Sequence, residues 1–174
     1  RQYAPITGSP EFDAEMEKKW AEYDVAKANA LLDGLGLTKN ADGSRKRPDG
    51  KNLEITVEHT SVAGSAEDDA HNQVKKYWDA VGIKTTMKFV ERSLYETHVH
   101  NGEIEVGYWS FDRAAVVKAD PIRWTGVLDD GPWAPNYGHW YDNSPYKKEE
   151  PPADHPIREI WKLWEQTQAE PDEA

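Results

Sequence analysis

The chain of 174 residues contains no cysteine, and this absence removes several classes of function at once. Without thiols there is no disulfide framework, no zinc site built on thiolates and no cysteine nucleophile. The sequence also lacks a Gly-x-Ser-x-Gly elbow, a Walker loop and a dinucleotide-binding glycine fingerprint. No apolar run approaches the roughly 20 residues that a membrane-spanning helix needs. Nucleophilic and nucleotide chemistry therefore lose their usual sequence signals, and we predict no cofactor.

Positive charge is also scarce, since 21 lysines and arginines stand against 32 aspartates and glutamates, a formal net charge of -11. Nucleic-acid binding depends on clustered basic residues, so we expect no nucleic-acid partner. The one basic cluster, Arg45-Lys46-Arg47, lies among turn-forming residues in the segment 38–51. We interpret this cluster as part of a solvated loop.

The six histidines offer one spacing that suggests a metal, His98-x-His100. On the helix that we predict for this segment, the two side chains point well apart. We interpret them as surface histidines and predict no metal site.

The chain shows neither an initiator methionine nor a signal peptide at Arg1. We interpret it as an excised piece of a longer protein. Its length is that of one ordinary domain, so we predict a single domain over residues 1–174.

The first half of the chain alternates between helical and strand patterns. A leucine-rich period of 3.6 residues predicts a helix that Asp24 caps and Gly36 ends. A second helix is predicted between Ser65 and Gly82. We predict that its core stripe consists of Ala70, Val74, Tyr77, Trp78 and Val81. Alternating residues predict strands at 53–58 and 83–89 on either side of this helix, which gives a βαβ unit with parallel strands.

The remaining regular patterns are a helix over 93–101, a strand from Ile104 to Tyr108 and a C-terminal helix. Asp154 and Pro156 open the last helix. Its core stripe is predicted to be Ile157, Ile160, Trp161 and Trp164. The whole pattern predicts an α/β fold, a mixed sheet that contains a βαβ unit and is flanked by helices.

Aromatic residues are concentrated between Val106 and Tyr141. This stretch contains Trp109, Trp124, Trp133 and Trp140, together with Tyr108, Phe111, Tyr137 and Tyr141. Its glycines and prolines exclude a continuous helix or strand, and we find no sustained period over residues 110–153. Such rings either complete a hydrophobic core or line a cleft in which they stack on a ligand. Polar neighbours, among them Asp112, Arg113 and Asn136, favour the cleft.

The order of short motifs along nearly the whole chain resembles that of bacterial family 5 extracellular solute-binding proteins, the peptide, oligopeptide and nickel receptors of ABC importers. The motifs are Tyr23-Asp24-x-x-Lys27-Ala28-x-x-Leu31-Leu32, Gly36-Leu37, Asp42-Gly43-x-Arg45, Asp49-Gly50-Lys51-x-Leu53, Trp78-x-x-x-Gly82-Ile83, Gly102, Trp109-x-x-Asp112, Asp120-Pro121, Trp133-Ala134-Pro135, Trp140-Tyr141 and Glu149-Glu150-Pro151-Pro152.

This resemblance implies that the chain is most of one lobe of a type II periplasmic-binding-protein-like fold, which traps its ligand against a second, missing lobe. It implies an extracytoplasmic location, as a periplasmic or cell-surface protein, and a membrane permease as partner. It also makes residues 110–153 the irregular segment that faces the ligand.

In peptide-binding relatives the Trp-x-x-Asp motif covers the ligand with a ring and pairs a carboxylate with its α-ammonium group. Carried over, this assigns stacking to Trp109 and cation recognition to Asp112. Here Arg113 to Ala119 separate that motif from Asp120-Pro121, and Arg113 could neutralise Asp112. An oligosaccharide, whose C–H faces stack on tryptophan, therefore remains open beside a peptide. The full set of predicted ligand-binding residues is Trp109, Asp112, Arg113, Trp133, Asn136, Trp140 and Tyr141.

Two rival hypotheses use the same rings differently. A carbohydrate-binding module or carbohydrate-active enzyme domain would stack sugars on them, and paired carboxylates can be drawn almost anywhere among the 32 acidic residues. A purely structural domain would instead bury every tryptophan of the stretch.

Overall fold

The structure is a computed structural model that describes residue 8 and residues 12–109, 125–127 and 133–170. These residues belong to two compact units. The first unit comprises Arg1–Glu91 and Glu105–Ser110, and the second comprises Arg92–Ile104 and Phe111–Ala174. Within the described ranges, no helix has both the length and the apolar character that crossing a bilayer requires.

The first unit is built on a parallel sheet of three strands, β1 (Glu54–His59), β2 (Lys84–Phe89) and β3 (Val106–Gly107), in the order β2-β1-β3. The predicted α/β class and the parallel βαβ unit are thereby confirmed. Antiparallel pairing in the described residues is confined to two isolated bridges in the 38–52 segment.

Two charge pairs align β1 with β2. Glu54 lies opposite Lys84 and Glu58 lies opposite Lys88 in the sheet register. In each pair the lysine Nζ is 2.8 Å from a carboxylate oxygen of the glutamate.

The third strand is shorter than the predicted span from Ile104 to Tyr108. At the position before β3, the Glu105 carboxylate accepts a hydrogen bond from the Thr56 backbone N–H at 3.2 Å. A side chain thus takes the place of a backbone carbonyl, and the regular ladder begins only at Val106.

The helices of the first unit are α1 (Ala14–Lys18), α2 (Val25–Gly34) and α3 (Ala66–Ala80). The predicted caps are confirmed, because the Asp24 side chain accepts from the Lys27 N–H at 2.9 Å and the Ser65 hydroxyl from the Asp68 N–H at 3.2 Å.

The buried face of α3 differs from the predicted stripe. Val74 is 37% exposed and Tyr77 is 44% exposed, whereas His71 is only 6% exposed. The face that turns inward contains His71 and Trp78, one heptad apart, and the buried Val81 follows the helix. The prediction that Ala70, Val74 and Tyr77 belong to the core is wrong, because the inward face of the helix is occupied by His71, which an apolar pattern does not include.

Arg45 also departs from its prediction as a solvated residue, since its side chain is completely buried. Its Nε donates to the Val81 carbonyl at 2.7 Å, one Nη donates to the Asp33 carboxylate at 2.6 Å, and the other donates to the Asn29 side-chain oxygen at 2.7 Å. A further hydrogen bond reaches the Leu37 carbonyl. Burial is tolerated because acceptors surround the guanidinium.

The second unit contains α4 (Arg92–Asn101), α5 (Pro135–Tyr141) and α6 (Ile157–Ala169). Its hydrophobic core is formed by Val127, Ile157 and Trp161. The predicted burial of the α6 stripe is confirmed at Ile157 and Trp161, which are 1% and 4% exposed.

Helix α5 lies inside the segment 110–153, for which the sequence predicts no regular element. It begins with Pro135, which suits a first helical position because its missing N–H would have no intrahelical acceptor there. Seven residues make about two turns, which is too short for a hydrophobic period to become visible.

Candidate functional site

The carboxyl ends of the three parallel strands meet at one edge of the sheet. His59 and Phe89 end β1 and β2 opposite each other, and Tyr108 and Trp109 follow β3 directly. The Tyr108 N–H donates to the Glu58 carbonyl at 2.9 Å, so the chain is still held to the sheet as it leaves β3. We call Phe89, Tyr108 and Trp109 the aromatic edge.

The aromatic edge presents ring surface to solvent. Phe89 is 56% exposed, Tyr108 is 38% exposed and Trp109 is partly buried. Exposed rings of this size at the carboxyl end of a parallel sheet are notable, because open α/β sheets bind their ligands outside this edge. Trp109, a predicted ligand-binding residue, therefore occupies a position suited to that role.

Two buried histidines lie beneath the aromatic edge. His59 and His71 are 3% and 6% exposed, and their ring centroids are 4.4 Å apart. The Tyr108 ring meets the His71 ring nearly perpendicularly at 4.3 Å, and the Phe89 ring meets the His59 ring at 6.3 Å. We call His59 and His71 the histidine pair.

The surroundings of His71 favour an uncharged imidazole. Burial lowers the pKa of His71, and the neighbouring His59 lowers it further, whereas Asp68 and Glu67 act in the opposite direction. The net shift is downward, so the His71 ring is neutral at neutral pH.

Neither the histidine pair nor Phe89 was predicted as a site residue from the sequence. A signal was present for His59, which continues the alternation of Ile55 and Val57 on the buried side of β1. For His71 the available signal is its spacing of seven residues from Trp78, which places both on one face of a helix.

Three predicted ligand-binding residues of the second unit are brought together around Trp161. The Trp140 and Trp161 rings are stacked with centroids 5.9 Å apart, and the Tyr141 ring lies 4.7 Å from Trp161. Trp133 packs against the same core, and a Cβ on Gly126 would come within 3.3 Å of its ring. All three are partly buried, so each packs on the core without being sealed in it.

Tyr141 also has a polar contact, since its hydroxyl donates to the Glu165 carboxylate at 3.2 Å. Burial raises the pKa of Tyr141, and Glu165 raises it further. The phenol therefore remains a hydrogen-bond donor across the neutral range.

Asn136 lies in α5, where its amide packs closely on Gly102. A Cβ on Gly102 would lie 2.6 Å from the Asn136 side-chain oxygen, so a side chain there would displace the Asn136 amide. A cavity of about 180 Å³ adjoins this contact. Its lining residues are Gly102, Ile104, Ala134, Pro135, Asn136, Tyr137 and Glu149.

The predicted site residues divide between the two units. Trp109 belongs to the first unit, and Trp133, Asn136, Trp140 and Tyr141 belong to the second. Asp112 and Arg113 lie outside the described residues, as does Trp124, so their predicted roles stay predictions.

The two histidines considered for metal binding lie on α4 and are partly buried. The His100 ring stacks on Tyr146 with centroids 4.3 Å apart. In the part of the chain that the structure describes, no three or more histidine, aspartate or glutamate side chains are grouped so as to hold a metal ion.

The chain matches a known protein family. Residues 1–125 match the middle region of the bacterial extracellular solute-binding proteins, family 5. Among curated proteins, the oligopeptide-binding protein OppA of Lactococcus lactis subsp. cremoris (strain SK11) is 25% identical over 142 residues, which cover 76% of this chain and 22% of that protein.

Solved structures give the same picture. An oligopeptide-binding protein OppA is 30% identical with a TM-score of 0.80, over 99% of this chain and 29% of that one. A mannohexaose-bound periplasmic oligopeptide-binding protein from Thermotoga maritima matches 87% of this chain with a TM-score of 0.57 and 21% identity, a likeness of fold. The chain thus spans between a fifth and a third of the length of these relatives.

Proposed function

Because the chain belongs to family 5 of the bacterial extracellular solute-binding proteins, we propose that it forms part of one ligand-binding lobe of an ABC-importer receptor. The aromatic edge is the observation that carries this proposal. Exposed rings at the carboxyl ends of parallel strands provide a flat apolar surface where a second lobe can close over a ligand.

Such a receptor binds without bond chemistry. Its ligand contacts both lobes only in the closed form, so ligand shifts the population toward that form. Closure about a hinge then creates a surface that a membrane permease recognises. The proposed location is extracytoplasmic, in agreement with the description of the family.

The proposed ligand is a peptide or an oligosaccharide. Both offer flat or apolar surface that packs on Tyr108 and Trp109, with polar groups at the rim. The names of the relatives support both classes, since one is called oligopeptide-binding and another is bound to mannohexaose. For a peptide, Asp112 would pair with the α-ammonium group, and a charge-assisted hydrogen bond contributes about 1.5–3 kcal/mol.

Within the second unit taken by itself, the proposed ligand contacts are Trp133, Asn136, Trp140 and Tyr141. The accessible part of each ring is proposed to contact ligand while the opposite part packs on the core around Trp161. This arrangement fixes the rings in advance, and a rigid ring loses little conformational entropy on binding.

Calorimetric titration of the intact protein with a panel of peptides and oligosaccharides tests the proposal. We expect binding of at least one class, and we expect Trp109→Ala to weaken that binding about tenfold, or roughly 1.4 kcal/mol, through loss of stacking area. Trp20→Ala is the matched control. Trp20 belongs to the same unit and is 56% exposed, but its ring contacts Lys27 rather than the aromatic edge.

The two variants separate a site effect from a general effect of losing a tryptophan. An affinity that Trp109→Ala leaves unchanged would contradict the assignment of Trp109. Equal weakening by Trp20→Ala would contradict the placement of the site at the aromatic edge.

A further inference from the structure

We propose that the histidine pair is a pH-sensitive support for the aromatic edge, so that acidification loosens Tyr108 and Trp109 and weakens the hold on ligand. The effect on ligand rests on the proposed function above, whereas the movement of the edge does not. The proposal concerns only residues of the first unit.

The histidine pair is buried without the hydrogen bonds that buried imidazoles usually make. His59 Nδ1 and both ring nitrogens of His71 have no hydrogen-bond partner among the described residues. Two neutral rings can pack in this way, much as two apolar aromatic rings do. A proton on His71 would place a cation in the same space, with no acceptor for its N–H groups.

Charged side chains lie near the histidine pair on helix α3 and on strand β1. Among the described residues, Asp68 and Glu67 on helix α3 favour a charged His71. On β1, Glu58 is already paired with Lys88 of β2. The aromatic neighbours, Phe89 after β2 and Tyr108 after β3, carry no charge at neutral pH.

These surroundings fix the direction of the pH effect. Burial and His59 hold the pKa of His71 below its usual value of about 6.5. The folded arrangement therefore binds fewer protons than an opened one between that lowered pKa and about 6.5. The stability that a neutral His71 contributes to the folded arrangement is fully present above about pH 6.5. It is lost as the pH falls through the lowered pKa of His71.

The Tyr108 ring connects the histidine pair to the proposed ligand surface. The Tyr108 ring rests against His71 at 4.3 Å, and Trp109 is its immediate neighbour in the chain. A protonated His71 must reach water, because a buried cation without partners is costly. Its departure removes the contact that positions Tyr108, and Trp109 follows through the backbone.

The ligand-free test is an NMR titration of the intact protein with histidine and tyrosine labels between pH 8 and pH 5. We expect His71 to titrate below about 6.5 and the Tyr108 ring signals to shift with the same midpoint. This measurement needs no variant, so it tests the movement of the aromatic edge even if substitutions unfold the protein. A His71 midpoint at or above 6.5, or Tyr108 signals that do not follow His71, would overturn the proposal.

The second test measures the affinity for the best-binding compound of the panel at pH 7.5 and pH 5.5. We expect weaker binding at pH 5.5 than at pH 7.5 for the unmodified protein, because protonation of His71 favours the opened arrangement. His71→Phe keeps a ring against Tyr108 but cannot titrate, so its affinity should change little between the two pH values. His98→Gln, on α4 of the second unit, is the control and should retain the full change.

Other outcomes have distinct meanings. A His71→Phe protein with the unmodified pH dependence would overturn the assignment to His71. Equimolar Zn²⁺ that shifts the signals of both His59 and His71 at pH 7.5 would also overturn it, in favour of a metal site. If no compound binds at any pH, the proposed function fails, while the NMR titration still tests the movement of the edge.

Discussion

At the scale of single residues, Arg45 shows how a charged side chain can take a central structural place. The sequence places it in a short basic cluster, and such clusters usually lie in solvent. In the structure the guanidinium joins the end of α3, the carbonyl of Leu37 and the side chains of Asn29 and Asp33. Long-range acceptors of this kind leave no trace in local sequence, which is why the prediction for Arg45 failed.

Substitution of Arg45 should therefore cost much more than substitution of its ionic partner. We expect Arg45→Met to lower the free energy of unfolding by about 3 kcal/mol, because several buried acceptors lose their donor. Asp33→Ala should cost less than about 1 kcal/mol, since the Asp33 side chain is 63% exposed and exposed pairs contribute little.

Urea denaturation of both variants, followed by circular dichroism, measures this difference. Equal losses for the two variants would show that the ion pair, rather than the set of buried acceptors, holds Arg45.

At the scale of elements, the ends of helices were predictable and their buried faces were less so. The Asp24 and Ser65 caps each join residues three positions apart, a spacing that the sequence displays directly. The inward face of α3 depends on what packs against it, and there His71 takes a place that the pattern assigned to Val74 and Tyr77. The parallel strands were predicted correctly, because their alternating pattern is visible in the sequence. The extent of β3 was not, because it depends on a contact of the Glu105 side chain.

The turn between α3 and β2 offers a test at this scale. Gly82 has φ of +92°, and a Cβ there would lie 2.5 Å from the Gly43 carbonyl oxygen. Gly64 has φ of +79°, with no atom within 4 Å of such a Cβ. Gly64→Ala should cost about 1 kcal/mol from backbone strain alone, and Gly82→Ala roughly 2–4 kcal/mol because a steric clash is added.

Thermal unfolding of the two alanine variants gives the comparison directly. Equal shifts in the midpoint would mean that the loop around Gly43 moves aside freely and does not fix the turn.

At the scale of the whole molecule, the fold class followed from the order of helical and strand patterns, and the family followed from the order of short motifs. The candidate site was only partly accessible to such reasoning, and its role in ligand binding stays a prediction. Trp109 was selected by its motif and lies at the carboxyl edge, but the packing of Trp140 and Tyr141 on Trp161 depends on α6, about twenty residues further along the chain.

The proposed two-lobed clamp predicts that this chain binds ligand weakly by itself. We expect its affinity to be at least about tenfold lower than that of the intact protein for the same compound, because contacts from the second lobe are missing. Calorimetry on both proteins provides the measurement. Equal affinities would place the whole ligand site within these 174 residues and would argue against the clamp.

The charge pairs between β1 and β2 have a consequence for how the chain finds its fold. A slip of two residues would keep every side chain on its proper face, so hydrophobic burial alone discriminates poorly against it. The slip would move Glu54 from Lys84 to Thr86 and would separate Glu58 from Lys88. The Glu54–Lys84 pair is exposed and contributes little to overall stability, whereas the Glu58 carboxylate of the second pair is largely buried. Together the two pairs favour one alignment of the strands over its nearest competitor.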